Sequence, residues 1–310
     1  METVPLSAER SAVLRRVLND HTVVLPGAIN ALSARLIESE GFEAVYVSGA
    51  VLANSVGGVP DTGLMTLSES AAYCAGIVRA TRLPVISDAD TGYGGPENAA
   101  RTVQDLEHAG VSGIHLEDQE FPKRCGHLAG KQLVSAEAFC ETIAAASGAR
   151  RCKDFLLIAR TDARGVSGYD DAVARAHAYL DAGADAVFPE ALRDAEELRR
   201  FARDMKRGGA RTLLLANMTE FGQTPYFTVD EFAEMGYAMV IFPVTLQRIA
   251  MKAMGDALRV IREEGTQRSL LNDMQTRQEL YDLLGYEGTV GGGVLKGSAG
   301  YESGNVQART

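Results

Sequence analysis

The 310-residue sequence has no tryptophan and only four cysteines, Cys74, Cys125, Cys140 and Cys152. None of them forms a CxxC pair or stands at a metal-ligand spacing, so neither a thiolate zinc site nor a disulfide framework is expected. No apolar run approaches the ~18 residues that a membrane-crossing helix requires. The opening METVPLSAER lacks the basic end and apolar stretch of a secretory leader. Cations are also in short supply, with 31 lysines and arginines against 41 acids and a net charge of −10. Nucleic acid is thereby excluded as a partner, because phosphate backbones call for clustered cations. An acidic chain repels anions at long range, so an anionic ligand must be gripped by arginines close at hand. From these absences a cytoplasmic protein with reduced thiols and no membrane partner is expected, with mitochondrial import after removal of a transit peptide as the alternative.

What is present in quantity is apolar sequence, 46% of the chain, arranged in short β-rich runs. Strands are expected at 22–27, 44–49, 84–90, 113–118, 155–162, 186–190, 213–218 and 239–243. Their near-continuous hydrophobicity suits parallel strands buried on both faces. Between them, stretches such as NAARTVQDLEHAG and YDDAVARAHAYLDAG carry apolar residues at helical spacing and end in glycine, a common helix stop. Eight βα units in a chain of this length predict a (β/α)₈ TIM-type barrel. An open doubly wound sheet is the alternative, but LPGAINAL after the first strand is not the GxGxxG turn that fold tends to show. Two connections are long, after the second and fourth strands, and they carry GVPDTG and KRCGH. Long loops of a compact domain are commonly lids or binding loops.

The strands end in polar groups: Ser48, Asp88 with Asp90, Glu117, Arg160, Glu190 and Asn217, with Arg248 beyond the last. Such groups near one rim cost free energy unless they are paired or bind a ligand. Asp88 and Asp90, two apart, project to one side of their strand. Together with Glu117 and Asp61 they make an all-oxygen cluster suited to Mg²⁺, or Mn²⁺, rather than zinc. The competing reading makes DADTGYGG a turn that caps the next helix; Glu117 and the arginines favour the cation. Arg160, Arg248 and Arg277 are candidates for gripping carboxylates bidentately. For Arg160 an internal salt bridge to Glu190 competes, and for Arg277 a plain exposed helix position. His115, in mid-strand, reads as a hydrogen-bonded core residue before a catalytic one. In KRCGH, Lys123, Arg124 and His127 surround Cys125 and would stabilise its thiolate. A thiol on a loop that excludes water can protonate a carbanion. No strand contains lysine, which argues against a Schiff-base aldolase.

KRCGH, together with SDADTGYGG, GIHLEDQ, IARTDA, FPEA and LANMTEFG in that order along the chain, resembles the isocitrate lyase/phosphoenolpyruvate mutase superfamily over residues 10–287. KRCGH is specific to its carbon–carbon lyase branch, and EEGTQRSLLNDMQTRQELY points to the members that act on 2-methylisocitrate. The resemblance implies a barrel assembled as a homotetramer with C-terminal helices exchanged between subunits. It implies magnesium at Asp88 and Asp90, supported by Asp61 and Glu117 through water. It implies a tri- or dicarboxylate substrate lined by Ser48, Gly49, Ala50, Cys125, Gly126 and His127. Arg160, Glu190, Asn217, Thr219, Arg248 and Arg277 complete that lining. The family often has Ser-Gly-Gly where this chain has SGA, which alters the fit at Ala50. The implied reaction is cleavage of 2-methylisocitrate to pyruvate and succinate, with Cys125 as acid and Glu117 and Arg160 in the catalytic set; Tyr46, two residues before Ser48 and so on the same side of its strand, is the candidate base. A sister lyase or hydrolase acting on isocitrate, dimethylmalate or oxaloacetate is the alternative, followed by a non-catalytic carboxylate-binding barrel. One domain, 1–287, with a helical extension is expected, followed by a flexible glycine-rich tail, 288–310.

Overall fold

Each of the eight apolar runs forms a strand in the computed structural model, which describes residues 7–124, 126, 130–206 and 212–286 and strand backbone at 289–290 and 293–294. The strands are β1 (Val23–Pro26), β2 (Val45–Val47), β3 (Val85–Asp88), β4 (Gly113–Glu117), β5 (Leu156–Thr161), β6 (Ala186–Pro189), β7 (Leu213–Asn217) and β8 (Met239–Phe242). Each pairs in parallel with its successor from β2 to β8, and β1 pairs with β8. The ring closes between β1 and β2 through one bridge, Gly27 to Tyr46, with the Ala28 N–H donating to Tyr46 O at 2.9 Å. Glycine is required at this seam, since a Cβ on Gly27 would stand 2.1 Å from the carbonyl oxygen of Pro243.

The helices that follow the strands are α1 (Ala31–Ser39), α2 (Leu67–Ala80), α3 (Pro96–His108), α4 (Ala136–Ala149), α5 (Tyr169–Asp181), α6 (Ala195–Asp204), α7 (Val229–Met235) and α8 (Thr245–Glu264). Local chemistry sets several of their ends. Thr66 with Glu69 and Thr228 with Glu231 form capping boxes at α2 and α7, and Gly236 ends α7 in the left-handed region.

The period-two alternation of the strands divides the core. Val23, Leu25, Ile86, Leu156, Ile158, Leu215 and Met239 pack inside the barrel. Their neighbours Val45, Val85, Ile114, Leu157 and Ala159 face the helices. The N-terminal helix Ser7–Asp20 adds Leu14 and Leu18 to the inner cluster. Its buried Arg10 donates to the carbonyls of Val78 and Thr81, at 3.0 and 2.6 Å, which anchors it to the C-terminal end of α2.

The chain divides into two units, Met1–Gln267 and Arg268–Thr310. The first holds the barrel. The second contains a 3₁₀ turn, Arg268–Asp273, a helix, Arg277–Leu284, capped by Thr276 and Glu279, and a two-stranded antiparallel pair, Thr289–Val290 with Gly293–Val294. The division falls earlier than the composition shift at 287, and most of the glycine-rich tail lies outside the described residues. Helix α8 buries no residue and exposes Met251, Met254, Leu258 and Ile261 along one side. Among the described residues no helix is long and apolar enough to cross a membrane.

Candidate active site

The alternation that fills the barrel also builds the site. From β2 to β7 the inward row is apolar in its lower part and polar at or just past the end of the strand, so these polar groups converge on one rim. One step below that rim, Tyr46, His115 and Phe188 form an aromatic layer. The Tyr46 hydroxyl lies 2.7 Å from His115 Nε2, and the Phe188 ring meets His115 edge-on at 5.4 Å. Burial lowers the His115 pKa to about 4, against the pull of Asp88, so the imidazole is neutral at pH 7. Its Nδ1 lies 3.7 Å from Asp88 Oδ1. That carboxylate favours the tautomer with the proton on Nδ1, which leaves Nε2 to accept from Tyr46. Burial, and then Asp88, push the Tyr46 phenol well above its ordinary value.

At the rim, Asp88 Oδ1 accepts the Asp90 N–H at 3.0 Å and Oδ2 accepts the Gly49 N–H at 3.2 Å. Gly49 is needed for that approach, because a Cβ there would stand 2.9 Å from Asp88 Oδ2. Burial works against the Asp88 carboxylate, but His115, Lys123 and Arg160 together with the Asp90 N–H hold its pKa down at about 2. Burial raises Asp90 to about 6 despite Lys123. Asp90 also holds a left-handed backbone, φ +48°, a strain of ~1–3 kcal/mol of the kind that collects at functional sites. Lys123 sends its buried ammonium to Asp61 and to Asp90 Oδ1, the latter at 2.8 Å.

Arg160 is the hub of the opposite side. Its Nη1 lies 3.0 Å from Glu117 Oε2, its Nε 3.0 Å from Asp162 Oδ2 and its Nη2 3.5 Å from Glu190 Oε2. The salt bridge to Glu190 weighed for Arg160 is therefore present, as one of three. Asn217 Nδ2 donates to the same Glu190 oxygen at 3.2 Å. Glu117 is fully buried, and neither of its oxygens completes a hydrogen bond although Arg160 is near, because the approach is misaligned. Burial pushes its pKa well up, against Arg160 and Lys123. Asp90 Oδ1 likewise lacks an aligned hydrogen bond.

The loop after β4 is held at its neck by Glu120 N–H to Gln132 O (2.8 Å) and Val134 N–H to Asp118 O (3.0 Å). Within it, the Gln119 side chain bonds both the N–H and the carbonyl of Arg124, at 2.9 and 2.8 Å. Gly126 is buried against Arg160 and Glu190, where a Cβ would fall 2.4 Å from Arg160 Nη2. Cys125 and His127 lie outside the described residues.

A cavity of about 580 Å³ opens at the rim. Tyr46, Ser48, Ala50, Asp61 and Asp88 line it from one side, Gly126, Arg160 and Glu190 from the other, with Asn217, Thr219 and Arg248 at the far end. Gly49, Asp90 and Glu117 stand behind that lining. Arg248 is half exposed and pairs with Glu220 at 3.3 Å. Arg277 opens the helix of the second unit, at the position after its cap. The expected residues left out an apolar wall, Phe188, Ile241, Pro243 and Val244. The inward parity of Phe188 with Glu190 was the available signal for it. A second cavity, about 570 Å³, reaches Glu117 from among helices α2, α3 and α4 but lacks the acid pair and Arg160.

The arrangement offers oxygen acceptors on one wall and a guanidinium clamp on the other. Among the described residues no three acidic, histidine or cysteine side chains form a ready-made ion cage. The buried oxygens of Glu117 and Asp90, ion-paired but with no completed hydrogen bond, and the oxygen-only donor set fit a hydrated Mg²⁺, which keeps several of its waters.

Residues 14–262 match the phosphoenolpyruvate phosphomutase family. The 2-methylisocitrate lyase of Aeropyrum pernix is 53% identical over 275 residues, covering 88% of this chain and 87% of its own. The enzyme of the same name from Escherichia coli is 40% identical over 91% of this chain and 93% of its own. Among solved structures, 2,3-dimethylmalate lyase, a PEP mutase/isocitrate lyase superfamily member, superposes with a TM-score of 0.83 at 39% identity, covering 91% of this chain and 93% of that one.

Proposed function

The chain belongs to the phosphoenolpyruvate phosphomutase family, and from that footing we propose that it is a carbon–carbon lyase cleaving 2-methylisocitrate to pyruvate and succinate. One observation carries the reading: a single cavity sets the acidic wall of Asp61 and Asp88, with Asp90 behind it, across from Arg160 and the backbone of Gly126. Asp88 and Asp90 would hold Mg²⁺, with Asp61 and Glu117 on its waters. When bound, the ion polarises the substrate hydroxyl and neutralises its adjacent carboxylate.

The protein supplies the rest. Tyr46 takes the hydroxyl proton at its own oxygen while passing its phenolic proton to His115 Nε2, 2.7 Å away. That hand-over suits a phenol whose burial opposes a standing phenolate. As the C2–C3 bond breaks, the electron pair passes to C3. Arg160, with Asn217 and Thr219 beside it, stabilises the carboxylate that conjugates with that carbon. Cys125, adjoining Gly126 in the chain, delivers the proton that completes succinate. Phe188, Ile241 and Pro243 give the substrate methyl group an apolar wall.

The exposed apolar side of α8 supports the tetramer with exchanged C-terminal helices, because a stripe of that kind is ordinarily covered. The compartment we infer is the cytoplasm. The deciding experiment is pyruvate release from 2-methylisocitrate, isocitrate and 2,3-dimethylmalate in parallel, with Mg²⁺ and with excess chelator. Fast metal-dependent release from methylisocitrate alone is the expected result. Preference for dimethylmalate would transfer the protein to the sister activity, and release from none would overturn the lyase reading.

A further inference from the structure

Lys131 is a buried cation for which the reaction above has no use. Its side chain is 3% exposed, and its Nζ lies 2.7 Å from Asp162 Oδ1 and donates to the carbonyl oxygen of Gly126. An ammonium is buried at a cost in free energy unless its partners are close and well placed. Both partners here belong to the site. Asp162 receives Arg160 Nε at 3.0 Å and is itself fixed by its N–H, which donates to Asp118 Oδ1 at 2.9 Å. Gly126 follows Cys125 in the chain and leaves no room for a Cβ against Arg160. One carboxylate is thus shared between the arginine that faces substrate and the lysine that holds the loop.

We propose that Lys131 is a positioning residue: by spanning Asp162 and the Gly126 carbonyl, it fixes the Gly126 backbone, one residue beyond the proton-donating Cys125, in register with Arg160. Lys123 secures the same loop at its other end, on Asp61 and Asp90. The inference rests on the lyase reading, and its test separates the two.

Lys131→Met and Lys131→Gln are made in the full chain and compared with wild type in kcat, KM, thermal unfolding and the rate at which iodoacetamide alkylates Cys125, read by peptide mass spectrometry. Lys131→Met is expected to lower kcat about 100-fold with KM changed less than about threefold, as for a displaced catalytic group. Cys125 alkylation should change by about fivefold or more, since the thiol's surroundings follow the register of its peptide. Lys131→Gln, which keeps a donor for the Gly126 carbonyl, should recover about tenfold of the lost kcat. A lower melting temperature with kcat and alkylation unchanged would reduce Lys131 to a packing role and overturn the proposal. If Lys131→Met does not fold, Lys131→Gln carries the comparison by the same criteria. If wild type cleaves none of the three acids, the lyase reading has failed, and the alkylation rates alone still decide whether Lys131 sets the loop.

Discussion

The Tyr46 hydroxyl and His115 Nε2 stand 2.7 Å apart with their rings 10° from parallel, sealed beneath the acidic rim. Water does not reach His115, so a proton arriving at Tyr46 has this imidazole as its outlet. Tyr46→Phe keeps the stack and removes the hydroxyl. We expect kcat to fall by ~10²–10⁴, the usual weight of a general base, with pyruvate binding retained. Turnover within a few-fold of wild type would dismiss Tyr46 as the base.

The metal reading has a pH signature. Without metal, burial raises Asp90 to about 6. Below that pH a proton occupies the carboxylate and must leave before the ion can bind. Mn²⁺ affinity, followed by electron paramagnetic resonance of the free ion, should be level above pH 7 and fall by up to ~10-fold per unit below about 6. A flat profile from 7 to 5 would show that Asp90 is not titrated by the metal.

His115 predicts a change in stability with its own sign. Its folded pKa, about 4, lies below the ordinary 6.5, so between those values the unfolded chain holds the extra proton. Stability is therefore lost as pH falls from 6.5 to 4, by up to a few kcal/mol. Asp90, raised by burial, acts in the opposite direction over part of that window. His115→Phe removes the first effect and leaves the second. Urea unfolding at pH 7 and 5 should show a smaller acid loss in the variant, and an equal or larger loss would contradict the buried neutral imidazole.

Arg160 balances Glu117, Asp162 and Glu190 at once. Arg160→Met leaves buried carboxylates uncompensated and should destabilise the fold by ~3–5 kcal/mol at pH 7. Part of that loss should return on acidification, as Glu117, its pKa already raised by burial, takes a proton. Denaturant midpoints at pH 7 and 5 measure both effects.

The barrel was legible because each apolar run is short, β-rich and followed by a helical pattern, and parity then placed Asp88, Glu117, Arg160 and Glu190 on one rim. Strand ends came out one or two residues shorter than expected, since the polar ends belong to the rim rather than to the ladder. The reach of Lys123 to Asp61 on another loop was not legible, because sequence proximity shows only its neighbours in KRCGH. Lys131 attracted no notice for the same reason: its partners are 5 and 31 residues away, and loop geometry brings them together. Phe188 and Ile241 looked like ordinary core, because an apolar wall and an apolar core have the same composition.

The seam at Gly27 has a consequence for laboratory evolution. Ile241 and Pro243 are natural positions to randomise when seeking another substrate, and Pro243 presents the carbonyl that excludes a side chain from Gly27. A library that moves the backbone at 243 and leaves residue 27 as glycine keeps the ring closable, because glycine can follow the shift. A library that also varies residue 27 would fill with clones whose ring fails at the Tyr46 bridge, and screening for new activity would then report folding losses as substrate preferences.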